Sequence, residues 1–110
     1  MLVTTTFNVE GYRIKEYKGI VRGIVVRAPT IAQGFRGKLK SIVGGNIGAY
    51  AEMCEQTRQQ AYELLVQHAK DLGANAIVGL HYDTADVSAD STEVLCYGTA
   101  VLIERGIDTQ

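Results

Sequence analysis

The sequence predicts an α+β fold: one domain over residues 1–110, with an antiparallel sheet covered by a single long helix. Three observations carry this. Apolar or small side chains recur at Tyr50, Cys54, Ala61, Leu64, Leu65, His68 and Leu72, near the 3.6-residue period of a helix with one buried side. Gly73 follows at once, then Asn75-Ala76-Ile77-Val78, so only a tight turn separates helix from strand and the helix must fold back onto the strand it feeds. Finally, the runs at about 75–87 and 92–105 flank the polar stretch Asp86-Val87-Ser88-Ala89-Asp90-Ser91, the pattern of an antiparallel hairpin.

Each element has its own warrant. Leu2 to Thr6 is a short extended run that Gly11 ends. Tyr12 to Ala28 is a long strand rich in Ile, Val and Tyr, in which Gly19 and Gly23 mark a bend, a bulge or a close backbone approach. Pro29 ends it, because proline has no N–H to give a ladder. Residues 31–40 read as a short basic helix broken by Gly34 and Gly37, and Val43 to Gly48 as a loop. The main helix spans about 48–72, with Asn46 placed to cap it and Gly73 as its left-handed stop. In the last strand Val94, Cys96, Gly98, Ala100 and Leu102 share one face; Leu95, Tyr97, Thr99, Val101 and Ile103 share the other. In the strand before it, Ala76, Val78, Leu80 and Tyr82 are expected on one face and Ile77, Gly79 and His81 on the other. Both faces are apolar or small, and such a sheet needs two covers. The chain supplies one long helix. The second cover is expected to be another subunit, so the chain reads as a homo-oligomer.

Composition narrows the function classes. Hydrophobic residues make up 46% and charged residues 21% of the 110, with a net charge of −1. A chain of this length buries about two thirds of its unfolded surface, enough for one core. The charge is unevenly spread: eight Lys/Arg against Glu10 and Glu16 give +6 over residues 1–40, and three basic against ten acidic residues give −7 over 41–110. The halves are expected to neutralise each other, within or between subunits, rather than to bind nucleic acid. No apolar run approaches the roughly 18 residues of a membrane span. The N-terminus has no basic segment followed by an apolar one, so no secretory signal is read and a cytoplasmic location is expected, with Cys54 and Cys96 reduced.

Several segments together resemble the YbjQ-like family of small bacterial proteins. They are Gly11-Tyr12-x-Ile14, Gly19-x-Val21-x-Gly23, Ile42-Val43-Gly44-Gly45-x-x-Gly48-Ala49-Tyr50, Arg58-x-x-Ala61, Leu72 to Gly79 and Gly98-Thr99-Ala100-Val101, in order along nearly the whole chain. The resemblance implies a dodecin-like subunit in a ring-shaped homopentamer whose subunits are joined by short strands. It also implies a label of heavy-metal binding, with no activity characterised. The chain departs from the family pattern where Asn46-Ile47 stands for the more usual Arg-Ser. It departs again over residues 29–40, where Lys and Arg replace acidic and aromatic residues. Neither cysteine is a family signature.

Three groups of residues are candidates for chemistry. His81 and Asp83 lie two apart on one strand and share a face; Cys96 falls opposite His81 or one residue off. Imidazole, carboxylate and thiolate in that arrangement suit zinc or a softer divalent metal. The register decides, since a slip of one residue sends Cys96 to the other face, and the plainer reading makes Cys96 a small core residue. Gly44-Gly45-Asn46-Ile47-Gly48 leads into a helix N-terminus, where free N–H groups favour anions, though a tight connection is the plainer reading. Cys54 and His68, 14 residues apart on the helix, are separated by about 21 Å and read as core. No catalytic constellation is visible, so no enzyme is expected. Two functions remain: a small-ligand or metal-binding homopentamer, or a structural module that presents its ring surface to a protein partner.

Overall fold

Strand length sets the architecture. A computed structural model of the chain describes residues 1–27, 47–88 and 91–106. Strand β1 is Leu2–Val3, β2 is Tyr12–Arg27, helix α1 is Ile47–Asp71, β3 is Ala76–Ser88 and β4 is Ser91–Arg105. At 16, 13 and 15 residues, β2, β3 and β4 run two to three times the usual strand length of about 5–6 residues. The short basic helix over 31–40, the Pro29 stop and the glycine loop at Gly44, Gly45 and Asn46 lie outside the described residues.

The sheet order is β1-β3-β4-β2. It is mixed, not antiparallel as the sequence suggested. β1 runs parallel to β3, with Leu2 beside Ala76 and Val3 beside Ile77. The Leu2 N–H donates to the Asn75 carbonyl at 3.2 Å and the Thr4 N–H to the Ile77 carbonyl at 2.9 Å, so the N-terminus is tied down by backbone bonds. The other pairs are antiparallel, and β3 and β4 form the expected hairpin.

Helix α1 ends as its sequence demands. The Ala74 N–H reaches the Ala69 carbonyl at 3.1 Å and the Gly73 N–H the Lys70 carbonyl at 3.0 Å, with Gly73 at φ 80°, the paired bonds of a Schellman cap. Asn75 then pins the turn to β4. Its side chain accepts from the Ile103 N–H at 2.8 Å and donates to the Ile103 carbonyl at 2.9 Å, standing in for a strand neighbour.

The helix packs on β2 at Gly23. A Cβ there would overlap the Ala61 carbonyl oxygen and approach the Leu65 nitrogen to 2.7 Å, so the contact is backbone on backbone. The stripe it buries is Thr57, Ala61, Leu65 and Ala69, spaced by four. Cys54 and Leu64, expected on the apolar side, are exposed instead, because so close an approach leaves room for one narrow row of side chains. The core between helix and sheet joins this stripe to Val21, Ile77, Val94, Cys96 and Ala100.

The opposite sheet face has a smaller core of Ala76, Val78, Val101 and Ile103, covered by Val9 and Ile14. This cover stops at the base. Further along, Ile20, Ile24, Val26 and Val87 are exposed, with Ile20 at 74%. The expected alternation in β3 holds only up to Val78. A bulge between Val78 and His81, at Gly79 with φ 66°, inserts a residue and turns the parity over. Ala76 and Val78 therefore point away from the helix, while Leu80 packs into the helix-side core.

Candidate functional site

The hairpin register decides which predicted ligands meet. His81 pairs with Tyr97 and Asp83 with Leu95, whereas Cys96 pairs with Tyr82. His81 and Asp83 thus share the face away from the helix, and both are exposed. Cys96 points to the helix side and is fully buried. The structure brings His81 and Asp83 together and puts Cys96 behind the sheet from them. Among the described residues no group of three or more His, Cys, Asp or Glu side chains converges. The His81, Asp83 and Cys96 set therefore does not fit a metal within one chain. Of the predicted anion loop, Ile47 and Gly48 form the first turn of α1, and Gly44, Gly45 and Asn46 lie outside the described residues.

Two small polar clusters emerge. On the helix side, Tyr82 stands beside the Cys96 thiol, and the Arg58 guanidinium lies 5.7 Å from the Tyr82 ring centre. Burial raises the Tyr82 phenol to about 12, helped by its charge coupling and hydrogen bond to Cys96 and by Tyr62, with Arg58 acting weakly against them. Burial likewise pushes the Cys96 thiol above its ordinary value, and the Tyr82 bond offsets only part of this. A protonated, enclosed thiol is a weak nucleophile and a weak metal ligand. Cys54 is the thiol that solvent reaches.

On the open face, the rings of His81 and Tyr97 stack tilted, 5.8 Å between centres. Arg22 completes this row across the sheet, since it pairs with Tyr97 from the other side. The sequence did not point to Tyr82, Arg58 and Cys96 as neighbours. Gly79 is where the facing changes: its bulge turns the following β3 residues over by one face, as far as a second register shift between Asp86 and Ser88.

His68 has a role of its own. Its Nδ1 accepts the Arg22 backbone N–H at 3.3 Å, so the helix side chain satisfies an outward-facing group of strand β2. The sequence reading of His68 as a core residue is replaced by this half-buried hydrogen bond.

The chain is similar to known proteins over nearly its whole length. A family profile described as "Putative heavy-metal-binding", YbjQ_1, matches residues 1–104. The UPF0145 protein of Legionella pneumophila subsp. pneumophila strain Philadelphia 1 is 59% identical over 103 residues, 94% of this chain and 98% of that one. The UPF0145 protein of Burkholderia thailandensis is 48% identical over 104 residues, 94% of each. A crystal structure of a protein of unknown function from Pediococcus pentosaceus, described as belonging to the DUF74 family, superposes with a TM-score of 0.57 at 24% identity. It covers 94% of this chain and 98% of that one, and it speaks for the fold alone. No described helix is long and apolar enough to cross a membrane.

Proposed function

Since this chain belongs to the YbjQ-like family of UPF0145 proteins, we propose that it is a non-catalytic homo-oligomer, a ring of five subunits, that holds a small ligand or a soft divalent metal between subunits. The observation that supports this most is the half-covered sheet. One face is closed by α1, while the other carries exposed Ile20, Ile24, Val26 and Val87 beyond the reach of Val9 and Ile14. Large apolar side chains exposed on one sheet face are what an interaction surface needs. The radius of gyration, 17.7 Å, also exceeds the roughly 13 Å of a compact chain of this length.

The same face positions the ligand reading. His81 and Asp83 give two donors there, and a closed soft-metal site takes four. One chain supplies half such a site, and a neighbour is needed for the remainder. The alternative is the interaction module, whose ring surface meets a protein partner. The absence of any three-donor group among the described residues favours it.

Native mass spectrometry at micromolar chain, with and without zinc or cadmium, tests both. The expected mass is roughly 60 kDa, five times the 12.0 kDa subunit, with added mass when metal is present. A species of 12.0 kDa under every condition removes the oligomer. A pentamer that takes up no metal leaves the interaction module.

A further inference from the structure

The open part of the sheet has two chemically unlike flanks. Its side chains stand in rows across β2, β4 and β3: Arg22, Tyr97 and His81, then Ile24, Leu95 and Asp83. The β2 flank therefore offers Ile20, Arg22, Ile24 and Val26, apolar around one cation. The β3 flank offers His81, Asp83 and Ala85, one anion beside an imidazole and a methyl, with exposed Val87 just beyond at a second register shift between Asp86 and Ser88. The whole strands repeat the contrast. β2 carries Arg13, Lys15, Lys18, Arg22 and Arg27 against Glu16, with Arg13 and Lys18 paired to Glu104 and Glu16 within the subunit, whereas β3 carries Asp83 and Asp86 with no lysine or arginine. The two flanks lie on opposite sides of β4, so neither can neutralise or cover the other within one subunit.

Backbone pairing at these edges is interrupted. The Arg22 N–H is taken by His68, and the Thr84 N–H donates to the Asp83 carboxylate at 2.9 Å. A neighbour at these points is met through side chains rather than by an unbroken ladder.

We infer that the β2 flank of one subunit packs against the β3 flank of a second copy, with Arg22 facing Asp83 of the partner subunit. Ile20, Ile24 and Val26 then lie against the partner's Val87 and Ala85. The contact is head-to-tail, using a different flank on each side; such contacts give a ring when the rotation between neighbours closes and an open filament when it does not. This seam rests on the homo-oligomer reading above and adds the surface and the charge pair that build it. A second copy is the fitting occupant because it brings both missing halves: the acid that Arg22 lacks and the apolar strip that the isoleucines lack. Opposite charges across an interface fix register and suppress wrong partners.

Charge reversal tests the seam on the full chain. Arg22→Glu, Asp83→Arg, the double variant and a control reversal on the exposed helix surface, Glu63→Lys, are compared with the parent by native mass spectrometry over a dilution series. Far-UV circular dichroism checks that each variant is folded. Each single reversal is expected to raise the concentration at which the assembly dissociates by about tenfold or more, the double variant to recover most of it, and Glu63→Lys to leave it unchanged. An oligomeric parent whose single reversals dissociate no earlier, or whose double variant fails to recover, overturns the seam and leaves the oligomer standing. A parent that is monomeric throughout overturns both. Ile24→Ser, which keeps all charges, is expected to weaken the assembly too; if it does not, the apolar part of the seam is wrong.

Discussion

Asn75 does more than its size suggests. One amide satisfies both backbone groups of Ile103 and so joins the end of the helix turn to β4. Asn75→Ala leaves both groups without partners in a partly buried place, and is expected to lower unfolding stability by about 2–3 kcal/mol in urea titrations. An unchanged midpoint would show that water replaces the amide. Tyr82 and Cys96 make a second residue-scale prediction. Both hold their protons more tightly folded than unfolded, Tyr82 up to about 12 and Cys96 above its ordinary 9.0, chiefly through burial. As alkali is added the unfolded chain releases these protons first, so stability is complete below about pH 9 and declines as pH climbs toward 12. Urea midpoints between pH 8 and pH 11 should fall for the parent and fall less for Tyr82→Phe; equal slopes would remove the assignment. A thiol reagent should meanwhile modify Cys54 readily and spare Cys96 until the chain unfolds, counted by mass.

At the scale of elements, helix position depends on one residue without a side chain. Gly23→Ala puts a methyl into the Ala61 carbonyl, which is backbone and cannot turn aside. The helix must lift off β2, and the expected cost is about 3 kcal/mol, beyond that of a typical crowded side chain. Calorimetry or urea unfolding would show it, and a variant as stable as the parent would mean that α1 slides freely. These elements also show what could be read in advance. The helix bounds, the Gly73 cap, the hairpin and the alternation of β4 all follow from periodicity and turn chemistry, and they match the structure closely. The parallel pairing of β1 did not show, because two residues carry no period. The facing of β3 was misread because Gly79 reads as an ordinary small strand residue until its backbone angle is known. Two register shifts, at Gly79 and between Asp86 and Ser88, bound the stretch in which His81 and Cys96 lie on opposite faces, so the predicted ligand set does not meet. Cys54 and Leu64 fit a helical stripe in sequence, yet the close seat on Gly23 narrows the stripe and leaves them outside.

At the scale of the molecule, long strands meet too little cover among the described residues. α1 closes one face and the segment holding Val9 and Ile14 closes the base of the other, but Ile20, Ile24 and Val26 extend past both. Burial of such side chains is worth about 1.5–3 kcal/mol each, so association should contribute a large share of stability. The thermal midpoint is therefore expected to rise with chain concentration, as mass action requires of a folded state that exists as an assembly. Differential scanning calorimetry across a hundredfold dilution would measure it. A midpoint independent of concentration would mean that the subunit is stable alone.

The imidazole of His68 has a consequence for how far copies of this chain can add. A sheet with a bare, long outer strand invites strand after strand from other molecules, and the product is a fibril without a natural length. His68 occupies the Arg22 N–H from the helix side, so an incoming strand finds that position already taken. His68→Ala should uncover it while keeping the helix in place, and should shorten the lag before thioflavin-positive fibres appear under agitation. With that result, the histidine would be one device that keeps other strands off this edge.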